Sequence, residues 1–390
     1  MISKHLVFVY GTRPELIKLA PLILTSRRNS TFKVTVVSSG QQGKTLSALE
    51  KCFKIHPDFE LSIERRQLSL VELAASMFPF FGRVLDDLAV DHPPIDAVVV
   101  HGDTTTALVA AQVAALDSIP VVHVEAGLRS FNRNSPFPEE INRRIIGVLA
   151  TLHLAPTEIA AQNLWAERIS RQSVHVTGNT IVDSLRMVDR DTNLPTNISR
   201  IVSAHRILLV TFHRRENWAH LTDFCHTLKN IADNNPDWRI VFVVHTNPKL
   251  EETVNAHLGG NKRIILLPPL PYHQFVALEK AASIIITDSG GIQEEAAILS
   301  KPVLCIRSVT ERVEAVEAGF VRLVGLNSAN IITAFHEAAA RISPPADEHR
   351  EVGFSEYSDC SPSQVSFKII DRFIEQNQKS GMRDLNERLR

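Results

Sequence analysis

The chain is 390 residues long, 44% apolar and 22% charged, with 42 Lys plus Arg against 43 Asp plus Glu. Such a composition belongs to an ordinary globular protein of about two domains and speaks against long disorder, collagen-like repeats and a disulfide scaffold. The charge balance gives no general reason to bind nucleic acid, and the isolated Cys52, Cys225, Cys305 and Cys360 argue against a zinc ribbon and fit a reducing compartment.

The first apolar run, 6–10, is too short for a signal peptide or a membrane span. The expectation is a soluble, cytoplasmic protein with no membrane or nucleic-acid partner. Further apolar runs follow at 34–37, 97–100, 121–124, 152–155 and 174–176, with helical stretches between them. The second half repeats the scheme at 207–211, 240–244, 264–267, 284–287, 303–306 and 321–324. Runs apolar on both faces and rich in β-branched residues suit parallel strands covered by helices on both sides. The pattern predicts an α/β protein of two similar doubly wound domains, six strands each, with a seam between 178 and 203. Ligands of such sheets bind beyond the carboxyl ends of the strands, so two facing sheets would place the site in the cleft between them.

The segments that carry chemistry lie at those ends. The first strand runs into Gly11-Thr12-Arg13-Pro14-Glu15, where Thr12 and Glu15 have capping-box spacing and Pro14 suits a first helical turn. Arg13 at a helix N-terminus, with Lys18 beyond it, would favour an anion. The third strand enters His101-Gly102-Asp103-Thr104-Thr105-Thr106, and the fourth ends in His123-Val124-Glu125-Ala126-Gly127-Leu128-Arg129. Asp103 reads either as a helix cap or as a functional acid, and Glu125 either as a partner of Arg129 or as a second acid. A proline-stiffened loop, Ser135-Pro136-Phe137-Pro138, delivers Glu139 to a helix start. Asp103, Glu125 and Glu139 all map to one rim of one sheet, and clustered carboxylates can supply an acid and a base together.

In the second half, Thr211-Phe212-His213-Arg214-Arg215 and Val244-His245-Thr246-Asn247 follow strands, and Asp288-Ser289-Gly290-Gly291 opens a helix that carries Glu295. Backbone N–H groups at a Gly-Gly helix start can cradle phosphate, and a carboxylate one turn in could accept a ribose diol. Neither a Walker loop nor a three-glycine dinucleotide fingerprint occurs in the sequence.

Taken in order, these motifs and Thr310-Glu311-Arg312 resemble those of the non-hydrolysing UDP-N-acetylglucosamine 2-epimerases, over nearly the whole chain. The resemblance implies two Rossmann-like domains in the glycosyltransferase-B arrangement, 1–180 and 181–363, with a C-terminal helix at about 364–378 returning to the first. It also implies a homodimer, a UDP-sugar substrate, no cofactor and no catalytic metal. The implied reaction removes the proton on carbon 2, eliminates UDP to leave 2-acetamidoglucal, and adds UDP back with protonation from the other face. By matched motif, Asp103, Glu125 and Glu139 become the acid/base group and His213 a catalytic or phosphate-facing residue. Arg13, Lys18 and Arg143 would line the first-domain side. His245, Phe275 and Arg312 would hold UDP together with Ser289, Gly290, Gly291 and Glu295.

The sequence departs from that family at several points. Many bacterial members have Gln-His-Arg, with residues that bind UDP-GlcNAc as an activator, where this chain has Gln41-Gln42-Gly43-Lys44. Phe212 replaces a small residue, Val313 a proline, and Ser358-Asp359-Cys360 a Gly-Asp-Gly pattern. Three other functions compete: a UDP-sugar glycosyltransferase of the same architecture, a hydrolysing 2-epimerase, and a silent sugar-nucleotide sensor. The transferase has no need of three carboxylates, and the sensor none of a complete acid set.

Overall fold

The computed structural model describes residues 4–62, 68–91, 93–188, 194–310, 313–342 and 361–388. The chain divides into two units, Met1–Met187 with Tyr357–Arg390, and Val188–Glu356.

The first unit is built on seven parallel strands: β1 (Lys4–Tyr10), β2 (Phe32–Ser38), β3 (Phe59–Glu60), β4 (Ala97–His101), β5 (Val121–Val124), β6 (Leu152–Ala155) and β7 (Val174–Val176), in the order β3-β2-β1-β4-β5-β6-β7. Every residue of β1 is buried, because helices cover both faces of the sheet. On one face Val7, Val9, Val98 and Val100 pack with Met77, Phe81 and Leu85 of the helix Leu70–Asp91 and with Ala110 of the helix Thr105–Leu116. Leu6, Phe8 and Tyr10 alternate to the other face. The helix Arg13–Arg27 buries Leu16, Leu19, Leu22 and Ile23. The helix Pro362–Arg388 packs beside it, with Phe367 edge-on to Phe32 at 5.0 Å between ring centroids. Lys4 pairs with Asp371 and with Glu375 (3.0 Å), and Asp183 accepts the Ser361 hydroxyl (2.7 Å) and the Ser363 N–H (2.8 Å).

The second unit has six parallel strands: β8 (Arg206–Thr211), β9 (Trp238–Val243), β10 (Ile264–Leu267), β11 (Ile284–Thr287), β12 (Val303–Cys305) and β13 (Val321–Leu323), in the order β10-β9-β8-β11-β12-β13. Its sheet separates two cores, one around Phe212, Phe224, Trp238, Phe242 and Phe335, the other around Ile207, Leu209, Val241, Leu278 and Ile285. Among the described residues no helix is long and apolar enough to cross a membrane.

The two sheets share a strand order, and it singles out two positions in each. After β1 the chain moves to one side of that strand, to β2; after β4 it moves to the other, to β5. The same reversal occurs between β8 and β11. Loops that leave a sheet in opposite directions open a crevice at the strands' carboxyl ends. The segments after β1, β4, β8 and β11 are therefore where each unit has room for a ligand. Those segments begin at Gly11, Gly102, Phe212 and Asp288.

Candidate active site

At the first unit's crevice, Thr12 caps the helix Arg13–Arg27, and Glu15 returns its carboxylate to the N–H groups of Gly11 (3.0 Å) and Thr12 (2.7 Å). The other Glu15 oxygen accepts the Thr104 hydroxyl at 2.6 Å, which ties the loop after β1 to the loop after β4. Burial pushes the Glu15 carboxyl up to about 7, against these donors. Gly11 is needed here for closeness: a Cβ would stand 2.0 Å from Ser39 Oγ and 2.3 Å from Thr106 Oγ1. The backbone N–H of Arg13 donates to Gln42 at 2.8 Å, and the Arg13 side chain is half-buried at the positive end of its helix.

Asp103 is not a helix cap. Thr104 fills that role, accepting the Ala107 N–H at 3.0 Å, so the Asp103 carboxylate is available for other work. It pairs with Arg143 at 2.5 Å, and its backbone carbonyl accepts the Asn142 amide at 2.8 Å. The preceding Gly102 has φ +68°, and its carbonyl lies 2.7 Å from His123 Nε2. A carbonyl only accepts, so the ring donates from Nε2; burial pushes His123 down to about 3 and keeps it neutral.

Glu125 follows β5 with φ +63°, a left-handed conformation that costs a β-carbon-bearing residue about 1–3 kcal/mol and is characteristic of functional sites. Its carboxylate is buried against Lys18, with His101 Nε2 at 3.7 Å. The alternative partner, Arg129, instead forks onto Glu167 at 2.8 and 2.6 Å. Lys18 therefore meets the Glu125 carboxylate inside the protein. A Cβ on Gly102 would be 3.9 Å from a Glu125 oxygen, so Glu125 rests against the loop that carries Asp103. Glu139 is the first residue of the helix Glu139–Leu149 that supplies Arg143; it is half-buried, with one oxygen closed to solvent. Two cis peptide bonds, Ser135–Pro136 and Phe137–Pro138, precede it.

At the second unit's crevice the loop after β8 is pinned by Asp288. This fully buried carboxylate accepts the N–H groups of His213 and Arg214 and the Asn217 side-chain amide, each at 2.9 Å. The His213 ring itself is exposed, 6.1 Å from that of His245. His245 Nδ1 accepts the Asn247 N–H at 3.0 Å, which places the proton of the neutral ring on Nε2. Burial holds His245 below the usual histidine range, and the Asp288 charge opposes that shift. Ser289 precedes the helix Gly290–Ile298 without a side-chain cap bond, so Gly290 and Gly291 present their amides at a positive helix end. Glu295 is buried, not a solvated helix carboxylate, and accepts the Tyr272 hydroxyl at 2.8 Å. Phe275 is half-buried and leans on the core beneath. Arg312 lies outside the described residues.

The roles of several residues that shape these two crevices escaped the sequence reading. Asp288, His101, His123 and Tyr272 act on neighbours that only the fold brings near. Glu140, buried beside Arg143 (3.6 Å) and Arg144 (3.2 Å) and accepting the Ser130 N–H (2.9 Å), had a visible signal in its spacing to the two arginines.

The family described as UDP-N-acetylglucosamine 2-epimerase matches residues 25–365 of this chain. The chain belongs to that family. A UDP-N-acetylglucosamine 2-epimerase of Campylobacter jejuni is 40% identical over 385 residues, which cover 95% of this chain and 97% of that one. The UDP-GlcNAc 2-epimerase of Neisseria meningitidis, solved bound to UDP-GlcNAc, is 35% identical with a TM-score of 0.84 over 94% of this chain and 100% of its own. The Methanocaldococcus jannaschii UDP-GlcNAc 2-epimerase, solved with UDP-GlcNAc and UDP, is 31% identical with a TM-score of 0.78 over 94% and 99%. Membership in the epimerase family thus rests on most of the chain, both units included.

Proposed function

We propose that this epimerase interconverts UDP-N-acetylglucosamine and UDP-N-acetylmannosamine at carbon 2 without hydrolysis, as a cytoplasmic homodimer. The observation that carries the reading is the state of the acids at the β1/β4 crevice. Asp103 and Glu125 are each held by a buried cation, Arg143 and Lys18, and neither caps a helix. A carboxylate is a side chain that can act as the general base taking a proton from substrate.

In the proposed reaction a carboxylate of the set Asp103, Glu125 and Glu139 takes the proton from carbon 2. The C–H electron pair becomes the double bond between carbons 1 and 2, and the bond from carbon 1 to the diphosphate breaks with its electrons leaving on UDP. The 2-acetamidoglucal and UDP then recombine, with a proton delivered to the opposite face by another member of the set. Groups on both sides of the sugar are required, which several carboxylates supply and one histidine could not. Arg13, His213, the His245 Nε2–H, Arg312 and the amides of Gly290 and Gly291 would stabilise the departing diphosphate, with Ser289 and Phe275 beside it and Glu295 on the ribose diol. Leu116 and Val148, each 79% exposed on neighbouring helices of the first unit, suit a surface covered by a second copy.

The test is proton NMR of UDP-GlcNAc incubated with the protein in deuterated water. Deuterium at carbon 2 and a UDP-ManNAc signal with UDP still attached are expected. Free ManNAc with UDP would assign the chain to hydrolysing chemistry, and no exchange would favour a transferase of the same build.

A further inference from the structure

The helix Tyr272–Ala281 carries a carboxyl that the proposed reaction does not use. Glu279 has no solvent exposure, and neither of its side-chain oxygens receives a hydrogen bond from a donor among the described residues. A buried carboxylate without such partners is costly. The group beside it is another carboxyl, that of Glu295 on the helix Gly290–Ile298. Residues 272 and 279 are two helical turns apart and share a face. That face meets Glu295 twice, through the Tyr272 hydroxyl at 2.8 Å and through Glu279.

Two carboxylates cannot hydrogen-bond to each other, whereas a carboxylic acid and a carboxylate can, through one shared proton. Burial, and next the charge of Glu295, raise the Glu279 carboxyl well above the ordinary range. Of the two, Glu279 is thus the one that holds the proton and donates, and Glu295 the acceptor.

We propose that Glu279 is a positioning residue for the nucleotide: with Tyr272 it clamps the Glu295 carboxylate in the orientation that receives a ribose diol. A carboxylate offers roughly four lone-pair sites, so two inner donors can fix it without exhausting them. The clamp makes the second unit select ribonucleotides over deoxy analogues, because a fixed acceptor rewards a vicinal diol more than a rotating one does. The inference rests on the reading of Glu295 as the diol acceptor.

The experiment compares UDP with 2′,3′-dideoxy-UDP by calorimetry on the full chain, in wild type, Glu279→Met, Glu279→Gln and Tyr272→Phe. Wild type is expected to prefer UDP by on the order of tenfold or more, the worth of a charge-assisted hydrogen bond. Glu279→Met fills the same space without a donor and should lose most of that preference while binding the dideoxy analogue as wild type does. Glu279→Gln retains an N–H donor and should restore it. Tyr272→Phe removes the other inner donor and carries the same expectation as Met should the latter not fold. A full preference in Glu279→Met or Tyr272→Phe, or equal loss in Gln and Met, would overturn the clamp. No preference in wild type would instead remove the diol contact of Glu295, and the inference with it.

Discussion

Glu15 gives the first unit a stability that falls as pH rises. Its carboxyl is wholly buried, and burial lifts its pKa from 4.5 to about 7 despite the hydrogen bonds from Thr104, Thr12 and Gly11. A folded pKa above the unfolded one means that the native state holds this proton more tightly. The associated stability is complete below the unfolded pKa and is lost as pH rises through the folded one. With those two values the loss between about pH 5 and about pH 8 is roughly 2.5 kcal/mol, at about 1.36 kcal/mol per pKa unit. Glu15→Gln keeps an oxygen for the Gly11 and Thr12 amides and has no proton to lose. Urea unfolding of the two proteins side by side, at both pH values, measures the effect. The variant should gain about 2 kcal/mol on wild type between the lower and the higher pH. Parallel stabilities, or a wild-type advantage that grows with pH, would refute the reasoning, since the donors and the positive helix end would then outweigh burial.

Asp103→Asn should lower turnover by on the order of a thousandfold while UDP affinity by calorimetry stays near wild type; near-normal rates would remove Asp103 from the acid/base set. Gly11→Ala places a methyl on the Ser39 and Thr106 hydroxyls, which are 2.7 Å apart, and should cost about 1–3 kcal/mol, read as a lower thermal midpoint. Glu295→Ala should weaken UDP binding by about 1.5–3 kcal/mol, and an unchanged affinity would end its assignment to the ribose. Turnover of UDP-ManNAc should begin without a lag and gain nothing from trace UDP-GlcNAc. Gln41 already accepts the Thr106 hydroxyl (2.7 Å) and Gln42 the Arg13 N–H (2.8 Å), so that loop is committed to the fold.

The strands were legible because burial on both faces makes each a run of apolar residues with no other use. The exception is β3: Phe59–Glu60 is two residues long and partly exposed, and its pairing with Val37 and Ser38 is decided by its neighbours. The first sheet therefore has seven strands where six runs could be read. The C-terminal helix was expected at about 364–378 and spans Pro362–Arg388, because its polar last turns carry no apolar periodicity to extend the reading. Among the site residues, Asp103 and Glu125 stood out as acids that close apolar strands. Their partners did not. Lys18 and Glu125 lie 107 positions apart, and nothing local to Glu125 favours Lys18 over Arg129, four residues away. The role of Asp288 depends in the same way on the register of β8 beside β11, which sets its oxygens opposite the amides of His213 and Arg214.

The helix Pro362–Arg388 belongs to the unit in which the chain begins, and Lys4 is clasped by its Asp371 and Glu375. In chain terms the second unit is inserted between two stretches of the first. Trimming the C-terminal helix would strip partners from Lys4, Phe32 and Asp183, so the damage would arrive at the half that bears Asp103 and Glu125, far away in sequence. A label or fusion at either end likewise hangs from that same half. The half that opens the Gly290 helix takes a tag in its loops.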